Sequence, residues 1–266
     1  MLVYELFILL LAGLGAGIVT GLLGASAVTI AAPLMIIFLG YDAFTSIGIS
    51  LAIDVFASAV TAYVFYKNKN LEIKPIIILL IFAVIGAFVG SYFSSFFPTG
   101  LLSKFIGFFV MLTGLNLMRR GLKGEIKFFK DLLKFRGNGF RIGILIISGL
   151  IVGLIAGIFG GGGGVTLLLI LTLILNYKIH PAIGTSVFIM TFIALSGAVG
   201  HIIYGSFLVY PFLVASIGGI VGAYFTAIKT NSTSEEKLNK MVGFVLFILG
   251  FFLFLKEIFN FIISIL

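Results

Sequence analysis

The chain has 266 residues, of which 61% are hydrophobic and 10% are charged, whereas about a quarter of the residues in soluble domains carry a charge. Together with a mean hydropathy of +1.30, this composition excludes a soluble globular protein and predicts an integral membrane protein. The absence of cysteine excludes disulfides and thiolate metal sites, and the formal charge of +8 comes from Lys and Arg in short connectors, which indicates membrane orientation rather than nucleic-acid binding.

Ten apolar segments follow one another along the chain. They are too long for the strands of a membrane barrel and lack strand-like alternation, so we predict an all-α fold. A basic stretch at 121–139 separates the chain into a first repeat at 1–120 and a second at 140–266. The segments cover residues 4–23, 26–40, 43–66, 75–97 and 100–118, and then 140–159, 165–177, 181–204, 208–228 and 238–255.

The two halves are copies of one unit, related by an offset of 136 positions. Without any gap, this offset pairs Gly24 with Gly160, Pro75 with Pro211 and Lys104 with Lys240. Because proline and charged positions match as well as glycines, the chance alignment of two glycine-rich membrane segments does not explain the pattern. Each copy has five segments, an odd number, so the second copy is predicted to be inverted in the membrane.

Basic residues lie almost entirely on one side of the predicted bilayer. Alternate connectors of a chain that crosses the bilayer repeatedly lie on the same side. Of the 17 Lys and Arg residues, 15 lie in one set of alternate connectors, and only Lys104 and Lys256 lie on the opposite side. By the positive-inside rule these basic loops are cytoplasmic. We therefore expect a multi-pass protein of the inner or plasma membrane with both termini outside.

The first two segments of each half are too short for two complete crossings. From Leu6 to Gly40 there are 35 residues, fewer than the roughly 40 that two helical crossings of the bilayer need. We therefore predict that each repeat begins with a glycine-tipped helical hairpin, re-entrant or short-spanning. The turn of the first lies at Gly24, Ala25, Ser26 and Ala27, and that of the second at Gly160, Gly161, Gly162, Gly163 and Gly164.

Non-helical backbone at membrane depth is tolerated only where it is buried in protein or lines a wet cavity. We therefore expect both tips to line a common cavity and to bind substrate there. Because a helix restarts after each tip, its free N–H groups and positive dipole end favour an anion. The alternative is that the glycines only allow close helix packing, which is the better interpretation for Gly13, Gly17, Gly149 and Gly153.

Polar residues in the third segment of each half are further candidates. Ser50, Thr185 and Ser186 would add hydroxyls to the substrate site, although Ser and Thr in helices equally often bond their own carbonyls. Asp54 lies in the apolar middle of its segment, where a carboxylate costs at least roughly 3 kcal/mol, so we interpret it as a proton-coupling residue rather than a neutral acid that holds helices together. Asn116 is interpreted as a contact between helices.

The motifs resemble a known family. The stretches GLLGASAVTIAAPL and GIFGGGGGVTLLLIL are each followed by IGIS or IGTS and then by a short turn before a proline-led helix. This pattern resembles the TauE/SafE family of membrane transporters over essentially the whole chain. The resemblance implies export of a small anion such as sulfite or an organosulfonate. The first tip departs from the usual multi-glycine pattern at Ala25, Ser26 and Ala27, so the two tips need not bind a ligand equally.

The sequence contains no GxxxxGK[ST] loop for ATP, so we predict a secondary transporter driven by a proton gradient, another ion gradient or the membrane voltage. No catalytic residue, metal or cofactor is expected, and the predicted partners are the anion and the lipid bilayer. An anion channel is one alternative. A much less favoured one is an intramembrane serine protease using Ser26 and His201, which the repeat argues against because Gly162 occupies the position equivalent to Ser26.

Overall fold

The computed structural model describes residues 2–132, 141–161, 163–205, 207–232 and 236–263, and these ranges contain helices and connecting turns but no strand. The all-helical fold class is therefore confirmed. The helices of the first half are α1 (Leu2–Leu23), α2 (Val28–Leu34, continued by a π turn at Met35–Leu39), α3 (Ala43–Lys67), α4 (Ile77–Ser94) and α5 (Thr99–Leu132). Those of the second half are α6 (Arg141–Phe159), α7 (Gly163–Leu173), α8 (Ile179–Tyr204), α9 (Val209–Ser232) and α10 (Glu236–Ile263).

Eight of the described helices are long and apolar enough to cross a membrane, and two apolar helices are shorter. The helices that precede the two glycine turns are the longer ones: α1 has 22 residues and α6 has 19, or about 33 and 29 Å. The apolar helices that follow these turns, called the short arms, lie at Val28–Leu39 and Gly163–Leu173 and reach only about 18 and 17 Å. Each short arm is thus well below the roughly 30 Å of a bilayer's hydrocarbon core.

Two helices extend beyond their predicted segments. Helix α5 continues past residue 118 to Leu132, into the basic connector, and α10 runs from Glu236 to Ile263. Hydropathy falls where Lys, Arg and Glu begin. These residues are good helix formers, so each helix extends beyond its apolar portion.

Glycine stripes hold the helices together in symmetric pairs. A Cβ atom at Gly17 on α1 would overlap the backbone carbonyl of Gly219 on α9, and one at the equivalent Gly153 on α6 would overlap that of Ala83 on α4. Gly13 and Gly149 lie against the same two helices in the same way. The packing interpretation of these four glycines is therefore confirmed, since only glycine lets the backbones approach so closely.

The short arms also end alike. Gly40 and Asn176, which are 136 residues apart, both adopt a left-handed conformation, with φ of 70° and 57°. In both cases the next residue closes the turn onto the carbonyl six residues back: Tyr41 N–H donates to Met35 at 3.3 Å, and the amide of Tyr177 closes the equivalent turn at 3.1 Å. The two halves thus share local structure at positions that the offset pairs.

Helices α3 and α8 pack against each other. A Cβ atom at Gly48 on α3 would lie 2.9 Å from the Cβ of His201, and one at the equivalent Gly184 on α8 would lie 2.8 Å from the Cβ of Phe65. Helix α3 is the most buried of the candidate spans, with 72% of its apolar window inside the protein. Large apolar side chains on the outer helices are exposed, including Phe225 at 67%, as expected for a surface solvated by lipid.

Candidate functional site

The turn between α1 and α2 and the turn between α6 and α7, called the first and second tips, are in direct contact. Helices α1 and α6 end at Leu23 and Phe159, and the glycines that follow, Gly24 and Gly160, have φ of 62° and 71°, a conformation that other residues adopt only with strain. A Cβ atom at Gly164 would overlap the carbonyl of Gly24 and come within 2.7 Å of the Cα of Ala25. The contact is between backbones, so these glycines position the tips. Gly162 lies outside the described residues.

Ser26 joins the first tip to its surroundings. Its hydroxyl lies 2.6 Å from Oδ2 of Asp54 on α3 and 3.1 Å from the carbonyl oxygen of Gly160 on the second tip. Both groups accept hydrogen bonds when the acid is ionised, and one hydroxyl has a single hydrogen to donate. Ser26 therefore lies between two acceptors, and its hydroxyl donates a full hydrogen bond to only one of them at a time.

Asp54 is completely buried and lies near the middle of α3. Besides Ser26, the backbone amide of Ala27 interacts with this carboxyl group, and Oδ1 makes no hydrogen bond within the described part of the chain. One turn further along α3, the Ser58 hydroxyl donates to the backbone carbonyl of Asp54 and accepts from Thr191 of α8 at 3.0 Å. The carboxyl group thus contacts the first tip directly, and a hydroxyl pair beside it reaches α8.

The starts of α2 and α7 both lie at the tips. At the first tip, the amides that begin α2 donate within the turn itself, to Ser26 and Ala27, and the Val28 amide lies 3.3 Å from Ser26 Oγ. At the second tip, α7 begins at Gly163, directly after the glycine that lies outside the described residues. The first amides of a helix have no acceptor in a preceding helical turn, so the N–H groups at the start of α7 lie at the contact between the tips.

A cavity of about 240 Å³ lies beside the tips, between α5 and helices α6 and α7. It has room for several water molecules, and hence for a small hydrated anion. Its polar lining is uncharged and comes from both tips, α2, α5 and α7. The lining residues are Ala25, Ser26, Thr29, Phe109, Leu112, Thr113, Asn116, Ile151, Val152, Ile155, Gly164, Val165, Thr166 and Leu169.

The remaining sequence-predicted residues occupy different surroundings. Gly161 lines a smaller cavity of about 20 Å³, which shares Thr29, Phe109 and Thr113 with the larger one. Gly163 lies against α8, where a Cβ would be 3.1 Å from the sulfur of Met190, the residue equivalent to Asp54.

The three hydroxyls of the third segments are all buried, but none lines the cavity. Ser50 has no hydrogen-bond partner among the described residues. Thr185 accepts from the backbone amide of Glu72 at 3.1 Å and so holds the loop after α3. Ser186 donates to the Ile183 carbonyl at 2.9 Å. For Thr185 and Ser186, hydrogen bonding to backbone is the interpretation that this geometry favours.

Sequence reasoning missed Thr29, Thr113 and Thr166 and assigned Asn116 only to packing, although all four line the cavity. The spacing of Thr113 and Asn116 places them on one face of the apolar portion of α5. That pattern was available in the sequence, but it does not indicate what the face contacts.

The geometry does not assemble a serine protease. His201 is buried against the ring of Phe44, and its Nε2 lies 3.0 Å from the carbonyl of Gly157. The Ser26 hydroxyl instead contacts Asp54 and Gly160, so no histidine base serves it within the described residues. No group of three or more His, Cys, Asp or Glu side chains suited to a metal occurs among the residues that were placed.

Comparison with known proteins gives a consistent result. The family model described as sulfite exporter TauE/SafE matches residues 9–253. The chain is 27% identical to the probable membrane transporter protein YdhB of Bacillus subtilis (strain 168), over 85% of this chain and 91% of that protein. It is 25% identical to YunE of the same organism, over 95% and 98%. It is 23% identical to MJ0441 of Methanocaldococcus jannaschii, over 93% of this chain and 95% of that protein. YunE and MJ0441 are also named probable membrane transporter proteins. No solved structure matched the chain.

Proposed function

Since this chain belongs to the TauE/SafE sulfite exporter family, we propose that it is a secondary transporter that exports a small anion, with sulfite or an organosulfonate as the substrate. Family membership confirms the resemblance seen in the sequence, and with the named relatives it identifies the protein as a membrane transporter. The proposal concerns the substrate, the direction and the coupling.

The observation that carries the proposal is the N-terminus of α7, which lies at the contact between the two tips and lines the cavity with Gly164, Val165 and Thr166. A helix N-terminus presents roughly half a positive charge together with unbonded N–H groups, which suits an oxyanion. The glycines before α7 let a ligand approach the backbone without side-chain obstruction. A site of this kind attracts an anion without a buried Lys or Arg, so the ligand is not held too tightly to leave.

The paired contacts of the two halves support an inverted repeat, in which the two hairpins enter from opposite faces and meet near mid-membrane. Asp54 lies eleven residues from the start of α3 and thirteen from its end, or about 17 and 20 Å. Its contact with Ser26 would put the first tip at that depth. In this arrangement the basic connectors face the cytoplasm of the cell, and both termini face outward.

Asp54 is proposed to couple the anion to protons. It reaches the second tip through Ser26, so an ionised carboxylate there repels an anion bound at α7, whereas the protonated acid does not. Protonation and anion binding therefore favour each other, and by linkage the anion favours proton uptake to the same extent.

Flux measurements in liposomes test this function. Purified protein is reconstituted with labelled sulfite, sulfoacetate or sulfate on one side, and labelled rubidium serves as the cation control. We expect saturable flux of at least one anion and none of rubidium. Absence of flux for all three anions contradicts the substrate class, and flux that rises without saturation identifies an anion channel.

A further inference from the structure

Two cavities lie at positions related by the 136-residue offset. The cavity beside the tips has a counterpart of about 580 Å³ on the other half, between α1, α2 and α10. Four lining positions correspond directly. Phe109, Ile151, Ile155 and Thr166 in the first cavity are equivalent to Val245, Gly15, Val19 and Ile30 in the second.

The two cavities differ in polarity at one lining position that corresponds, where Thr166 of α7 is equivalent to Ile30 of α2; the second cavity is lined by apolar residues, glycine and Lys240. Two other positions of the first cavity, Thr113 and Asn116 of α5, correspond to Leu249 and Phe252 of α10, which do not line the second cavity. Apolar residues at these positions are thus compatible with the same helix packing, so the fold does not require the polar ones. A polar side chain at membrane depth is costly, and it is retained where it serves a polar ligand.

Thr113 and Asn116 also have hydrogen-bonding capacity to spare. Both line the cavity, and no hydrogen bond from either side chain is found within the described part of the chain. They are three residues apart on α5, and Arg120 follows four residues later on the same helical face. This face leads from the hairpin tips to the basic end of α5.

We propose that Thr113 and Asn116, with Thr166 opposite them, form an anion-binding subsite that receives the substrate from the basic end of α5 and delivers it to the tips. The inference rests on the proposed function, and it assigns the cavity beside the tips, rather than its counterpart on the other half, to the substrate. Hydroxyl and amide N–H donors bind an oxyanion without a fixed charge, which allows release in the next step.

Cysteine accessibility tests the subsite directly, because the chain contains no cysteine. Asn116→Cys and its matched control Phe252→Cys, at the equivalent position, are reconstituted in liposomes and treated with an anionic methanethiosulfonate reagent. Labelling is followed by mass spectrometry. We expect Asn116→Cys to react at least about tenfold faster, because Phe252 is 59% exposed on a lipid-facing surface that a charged reagent does not enter. Sulfoacetate should slow only the reaction at position 116.

Binding measurements provide the second test. Thr113→Val and Asn116→Leu preserve side-chain volume while removing donors, so each should raise the Kd for sulfoacetate about tenfold or more. The control is Thr226→Val on α9, whose hydroxyl donates to its own helix at Gly222 over 2.6 Å; it should leave the Kd unchanged.

Equal labelling at positions 116 and 252, or wild-type Kd values in both cavity variants, overturns the subsite. If the wild type binds none of the tested anions, the proposed substrate class fails instead. The labelling of Asn116→Cys and Phe252→Cys still shows whether the cavity beside the tips admits anions from water. This test does not depend on whether Asn116→Leu folds.

Discussion

Replacing Gly161 by leucine separates a ligand-binding glycine from a packing glycine. The backbone of Gly161 lies outside the left-handed region, and a Cβ there meets only the methyl group of Thr29, at an ordinary 3.7 Å. The first side-chain carbon is therefore accommodated. The adjoining cavity of about 20 Å³ holds about one water molecule and shares Thr29, Phe109 and Thr113 with the larger cavity, so we expect the remaining carbons to extend toward the larger cavity and the start of α7.

The expected loss follows from the amides that the leucine covers. A hydrogen bond to a charged group contributes about 1.5–3 kcal/mol, so losing even one amide of α7 weakens anion binding roughly 10- to 150-fold. Gly161→Ala adds only the carbon that fits and should change the Kd far less. Titration of sulfoacetate into purified protein by calorimetry measures both variants.

The control for this series is Gly143→Leu on α6, because nothing lies within 4 Å of a Cβ at Gly143. Gly153, a packing glycine, is unsuitable as the control because any side chain there overlaps the backbone of Ala83. Gly143→Leu should bind like the wild type. If Gly161→Leu also keeps the wild-type Kd and melts at the wild-type temperature, the glycine run is a packing device and the anion site lies elsewhere.

Three further predictions address coupling, tip contact and orientation. Asp54→Asn keeps an acceptor for Ser26 but carries no proton, so pH-driven flux in liposomes should vanish while the protein assembles; normal pH-driven flux would assign Asp54 to structure. Ser26→Ala removes the hydroxyl between Asp54 and Gly160, and thermal unfolding in detergent should show a loss of about 1–3 kcal/mol; an unchanged melting temperature would show that the two tips do not depend on it. Lys127→Cys should resist an impermeant thiol reagent added outside intact cells, and rapid labelling there would reverse the proposed topology.

The sequence by itself determined the helix inventory and the positions that correspond between the halves. Hydropathy and glycine spacing are local properties, so they located ten helices and the two short arms. They also separated the packing glycines, such as Gly17 and Gly153, from the tips. The extent of α5 was missed because its end depends on helix propensity rather than on hydropathy.

Only the tertiary structure decided what each polar group contacts. Ser26 meets Gly160 across 134 residues, and Thr185 meets the amide of Glu72 across 113, so neither partner is visible in a local pattern. The glycines of the run look alike in sequence, yet Gly164 packs against the backbone of Gly24 while a Cβ at Gly161 would make only an ordinary contact with Thr29. The reason is physical: a hydrogen bond or a close backbone contact depends on positions held within tenths of an ångström by helices distant in the chain.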